Sequence, residues 1–99
     1  MKQYRLTPSA AGDLEAIYEH IAADNLPAAG RMLQRFTEAF RKLADMPRMG
    51  HLREDLTEEP FRFWAVGVYL IIYRPDTDPL EILRVVHGSR DVRRLLRDE

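Results

Sequence analysis

Apolar positions recur along this chain first with a helical period and then with a strand period. Leu14, Ile17, Tyr18 and Ile21 fall at i, i+3, i+4 and i+7, a single stripe that one helix face can bury. Asp13, Glu15, Glu19 and His20 lie off that stripe and are expected to face water. Thr7-Pro8 opens the helix, with Thr7 as N-cap and Pro8 at the first helical position, where its missing N–H costs nothing. Asp24-Asn-Leu-Pro27 repeats the device. A second helix follows, with Ala29, Met32, Leu33, Phe36, Phe40 and Leu43 on one face and Arg31, Gln34, Arg35, Glu38, Arg41 and Lys42 on the other. Two matching stripes and a short connection predict an antiparallel hairpin. Gly30 costs about 1 kcal/mol relative to alanine unless it admits a close helix approach. Met46-Pro47 ends the second helix, because a residue before proline is pushed out of the helical region.

From Pro47 to Pro60 no period survives, which predicts a long loop; within it Met49-Gly50-His51 reads as a turn that docks Met49 and Leu52. Then the period drops to two. A run from Phe61 is broken at Gly67, Tyr69 to Tyr73 forms a second run, and Pro75-Asp-Thr-Asp-Pro79 turns the chain into a third, Leu80 to His87. The middle run is apolar at both parities, so both its faces must leave water and it should be the central strand. Gln3 to Leu6 adds an edge strand, and Asp91 to Arg97 a short helical tail. The fold class predicted is α+β: an N-terminal edge strand, an antiparallel helical hairpin packed on one face of a small twisted antiparallel sheet, and a short C-terminal helical tail. The hairpin can cover only one face. The other, expected to carry part of the Trp64, Tyr69, Ile72 and Tyr73 set, has only the tail and the loop to shield it, and an open apolar sheet face marks a partner site.

Composition narrows the class. Ninety-nine residues, 45% apolar and 31% charged, make one domain over residues 1–99. No run of about 18 apolar residues and no hydrophobic leader is present, which predicts a soluble cytoplasmic protein without membrane association. Cysteine is absent, removing disulfides and thiolate chemistry. His20, His51 and His87 have no metal-ligand spacing, so neither a metal nor a cofactor is expected. His51 in the loop is open to two readings, a general base or a solvent-facing side chain. The net charge of −1 excludes the whole molecule as an electrostatic glue for nucleic acid, and no direct sequence-specific DNA binding is expected.

Charge is nevertheless uneven. Arg84, Arg90, Arg93, Arg94 and Arg97 crowd the C-terminal end, and Glu54, Asp55, Glu58 and Glu59 make the loop acidic. On a helix, Arg90, Arg93, Arg94 and Arg97 share one face at spacings of three and four, with Val92, Leu95 and Leu96 turned to the sheet. Either this stripe meets an anionic partner, or it is a solvated helix end paired with Asp91, Asp98 and Glu99.

Six segments in order, Tyr4-Arg-Leu-Thr-Pro8, Asp13-Leu-x-x-Ile17, Pro47-x-Met-Gly50, Arg62-x-x-x-Val66-Gly-x-Tyr69, Ile71-Ile-Tyr-Arg74 and Ile82-Leu-Arg-Val-Val-His-Gly-x-Arg-Asp91, resemble the ParE branch of the RelE/ParE toxin family over nearly the whole chain. The resemblance implies a bacterial type II toxin that acts on DNA gyrase and is held inactive by a ParD-like antitoxin encoded beside it. On this reading no residue is catalytic, Arg90, Arg93, Arg94 and Arg97 contact the target, and Trp64, Tyr69, Tyr73, Arg74 and Arg84 meet the antitoxin. The RelE branch instead cleaves messenger RNA on the ribosome, which requires a base for the 2′-hydroxyl, a cation for the phosphate and an acid for the leaving oxygen. Arg62, Arg74, Arg84 and His87 could supply cations and one titrating group. No tyrosine follows Tyr73, and the lysines, Lys2 and Lys42, belong neither to the predicted sheet strands nor to the loop before them. A third alternative, an inactive paralogue that only sequesters antitoxin, would use the same surface.

Overall fold

The computed structural model describes residues 3–97; Lys2, Asp98 and Glu99 lie outside them. The chain runs β1 (Tyr4–Leu6), α1 (Pro8–Ala22), α2 (Leu26–Asp45), β2 (His51–Leu52), β3 (Arg62–Val66), β4 (Tyr69–Arg74), β5 (Leu80–His87) and α3 (Val92–Arg97). These form one sheet in the order β1-β5-β4-β3-β2, with β4 in the middle as its two-sided apolar run predicts. The sheet is mixed instead of wholly antiparallel. β1 pairs with β5 in parallel, Tyr4 opposite Leu80 and Leu6 opposite Ile82, and the long connection needed to bring parallel strands together is the hairpin and everything after it.

Local chemistry sets the helix starts. Thr7 Oγ1 accepts from the Ala10 N–H at 3.1 Å and donates to the Leu83 carbonyl at 2.8 Å, so one hydroxyl both caps α1 and ties it to β5. Asn25 caps α2, its Oδ1 accepting from the Ala28 N–H at 3.0 Å. Phe36, Phe40 and Leu43 then pack on Ile71, Tyr73, Ile82 and Val85. Leu33, placed on the buried stripe by its spacing, is 42% exposed because it sits at the outer edge of the hairpin. Nothing approaches within 4 Å of a Cβ at Gly30, so no helix uses the gap it offers. Between β3 and β4 the loop is Gly67-Val68, and Gly67 has φ +59°, the glycine-first pattern of a two-residue hairpin turn.

The second sheet face is closed, against the expectation of an open one. Phe61, Phe63, Ile72, Leu83 and Val86 form a second core with Val92 and Leu96 of α3, and Leu56 of the loop packs against it. Ile72 is fully buried there. The reason is parity. Tyr69, Ile71 and Tyr73 turn to the helical face, as Trp64 does from β3, while Leu70 and Ile72 turn to the other, and two apolar residues one helical turn apart on α3 suffice to seal that smaller patch. No described helix is long and apolar enough to cross a membrane.

Candidate interaction surface

Two internal constraints decide which polar groups remain available. The first joins α1 to β5. Arg84 makes a bidentate pair with Asp13, Nε to Oδ2 at 2.8 Å and Nη2 to Oδ1 at 2.9 Å, and the Val85 N–H donates to the same carboxylate at 2.9 Å. Asp13 was expected in water. It is instead half-buried, because it lies on the flank of α1 that runs over β5.

The second constraint fixes the start of the loop. Tyr73 Oη accepts from the Gly50 N–H at 2.9 Å and donates to the Pro47 carbonyl at 2.6 Å, so one buried hydroxyl closes both ends of the Pro47-to-Gly50 turn. Arg62 Nη1 donates to the Gly50 carbonyl at 2.6 Å and to the Arg48 carbonyl at 3.3 Å. A Cβ at Gly50 would stand 2.4 Å from Tyr73 Oη, which explains the glycine. Burial pushes the Tyr73 hydroxyl above the ordinary tyrosine range, against the Gly50 N–H and the Arg62 charge that favour the phenolate.

The C-terminal arginines divide into two groups. Arg93 donates to the Asp55 carbonyl, and Arg93 and Arg97 face a cleft whose other wall is Glu54, Asp55, Glu58 and Glu59. The anionic neighbour of that half of the stripe is thus in the same chain. Within the loop Arg53 grips Asp55 at 2.8 and 2.9 Å and holds its carboxyl below the usual range. Arg90 precedes α3 and borders a different cleft, with Asp13, His20, Tyr69 and His87, while the Arg94 N–H is capped by Asp91 at 3.1 Å and its side chain is exposed.

Of the residues expected to meet an antitoxin, Tyr73 is fully buried and offers no surface. Tyr69 is half-buried, edge-on to Phe36 at 5.6 Å and His87 at 5.7 Å. Trp64 is half-buried and stacked on His51 at 6.3 Å. Arg74 is exposed over the Phe61 ring at 4.8 Å and bonded to Glu81 at 3.1 Å, a carboxylate that Arg5 also reaches. Arg84 is engaged as described. The five therefore do not form one patch. His87 Nδ1 accepts from the Ser89 N–H at 3.1 Å and meets Ser89 Oγ at 2.8 Å.

The helical hairpin on a mixed sheet, closed behind by a basic tail and an acidic loop, defines an α+β domain with no enclosed catalytic cluster assigned among the described residues. The chain belongs to the family described as "ParE toxin of type II toxin-antitoxin system, parDE", whose model matches residues 4–92. It is also similar to a solved structure described as "Chromosomal ParDE TA system from P. aeruginosa", with 26% identity, a TM-score of 0.70, and coverage of 88% of this chain and 96% of that one. No curated protein matches it significantly.

Proposed function

We propose that this toxin inhibits DNA gyrase and is neutralised by direct binding of a ParD-like antitoxin in the cytoplasm. Membership of the ParE family carries the reading. The internal bonding of the sheet supports it against messenger RNA cleavage. A ribonuclease needs a cation aimed at the scissile phosphate and a titrating group beside it. Here the Arg84 guanidinium is held by Asp13 and the His87 Nδ1 by Ser89. Target contact is assigned to the C-terminal arginines, with Arg90 and Arg94 leading, since Arg93 and Arg97 already face the acidic loop. Antitoxin contact is assigned to Arg74, the exposed member of the proposed set, with half-buried Trp64 and Tyr69.

The test is a supercoiling assay with purified gyrase and toxin, repeated with antitoxin added, beside primer extension on abundant messages from cells expressing the toxin. Loss of supercoiling that antitoxin restores is the expected result. Ribosome-dependent cleavage abolished by His87→Ala would overturn it.

A further inference from the structure

Where α1 overlies β5, the surface opens into a cleft of about 290 Å³. Its apolar lining comes from Ala16 and Ile17 on the helix and Val85 on the strand, with the half-buried Tyr69 ring beside them. Asp13 is the one carboxylate among the lining residues. Its charge is already answered, because Arg84 binds both carboxylate oxygens at 2.8 and 2.9 Å and the Val85 N–H adds a third bond at 2.9 Å. Three exposed nitrogen-bearing side chains remain on the cleft: His20, His87 and Arg90. Among the described residues no ion pair holds any of them. The cleft between tail and loop differs, since Arg93 and Arg97 there face acidic side chains of the same chain.

The chain also fixes what His87 presents. The Ser89 N–H donates to Nδ1 at 3.1 Å and Ser89 Oγ lies 2.8 Å from the same nitrogen, so Nδ1 is an acceptor and the neutral ring carries its proton on Nε2. The turn that does this is braced at both ends. The Arg90 N–H donates to the His87 carbonyl at 3.0 Å, and the Gly88 N–H donates to the Val68 carbonyl at 2.8 Å. Tyr69 stands edge-on to the imidazole at 5.7 Å. A placed N–H donor, a guanidinium and a second imidazole beside an apolar wall are the groups that recognise an oxyanion on a compact organic body.

We propose that this cleft binds a small phosphate monoester, its phosphate on Arg90, His20 and the His87 Nε2–H and its organic part against Ile17 and Tyr69. Three separate donor side chains match the three terminal oxygens of a phosphate better than the two of a carboxylate. Size restricts the organic part. The cleft lies at the lower end of the range for small-molecule sites, about 300–1,000 Å³, which favours a single nucleotide over a dinucleotide. Arg90 thus serves a ligand as well as the target contact assigned to it, and the proposal stands without the gyrase reading.

NMR of the histidine ring nitrogens tests it on the purified toxin at fixed neutral pH, with adenosine monophosphate, adenosine and inorganic phosphate titrated separately. His51, stacked on Trp64 and absent from the cleft, is the internal control. The monophosphate should shift His20 and His87 saturably, leave His51 still, and bind about tenfold or more tighter than either adenosine or phosphate alone. Arg90→Gln should weaken it about tenfold or more, the loss of a charge-assisted bond, and His20→Gln gives a second, independent reading. Shifts that fail to saturate, or that reach His51 equally, overturn the proposal. Wild-type affinity in both variants does so too. Adenosine binding as tightly as its monophosphate would make the cleft a ring pocket, and inorganic phosphate doing so would make it a bare anion site; either result overturns the monoester.

Discussion

Replacing Tyr73 by phenylalanine removes one oxygen and nothing else from the core. The ring stays between α2 and the sheet, so almost no apolar contact is lost. What is lost is the partner of the buried Gly50 N–H and of the Pro47 carbonyl, bonded at 2.9 and 2.6 Å. An orphaned buried backbone group costs about 1–3 kcal/mol, and the Arg62 bond to the Gly50 carbonyl does not rescue the N–H. Two such groups, one near the surface where water can reach it, give an expected loss of about 2–4 kcal/mol. At about 4–8 °C per kcal/mol for a domain of this size, the midpoint should fall by at least about 8 °C. Urea unfolding is the assay, with an unchanged slope showing that only stability has moved. A loss below about 0.5 kcal/mol would refute the argument, since it would make the hydroxyl incidental.

The same hydroxyl fixes a pH dependence. Its folded pKa lies above the ordinary value of about 10, so above that pH the unfolded chain releases its proton while the folded protein retains it. The stability this hydroxyl confers is complete below the unfolded pKa and declines as pH rises toward the folded one. Tyr73→Phe should lack that part of the alkaline decline, read from midpoints collected on both sides of pH 10.

Other substitutions test the remaining constraints. Asp13→Ala removes the carboxylate that the Arg84 guanidinium and the Val85 N–H share in a half-buried position and should cost about 1–3 kcal/mol by urea unfolding, whereas a solvated Asp13 would change stability by under about 0.5. Gly50→Ala drives a Cβ against the Tyr73 hydroxyl and ring edge and the Phe63 carbonyl and should destabilise by about 1–3 kcal/mol, only partly relieved in the Tyr73→Phe background when both are measured in one cycle, since the ring carbon and the carbonyl remain. Charge reversal at Arg90 and Arg94 should abolish gyrase inhibition and leave the midpoint nearly unchanged, because exposed charges contribute about 0–1 kcal/mol each; a folded double variant that still blocks supercoiling removes the tail from the mechanism.

Elements with strong local signals were readable from the chain: the Thr7-Pro8 start, both helical stripes, the Gly67 turn and the two-sided β4 run each state their structure in adjacent residues. The direction of β1 was not, since nothing within Tyr4-Arg-Leu6 distinguishes parallel from antiparallel addition to β5. Asp13 misled for a related reason. A helical wheel separates core from solvent but cannot show that the rim of α1 overhangs an arginine 71 positions later. Tyr73 was read as surface for a partner when its hydroxyl belongs to the Pro47-to-Gly50 turn. The only hint was Gly50 itself, a glycine whose predicted turn does not name the side chain it must make room for. Parity within β3 and β4 was available from sequence, and applying it would have put Trp64, Tyr69 and Tyr73 together beneath the helices.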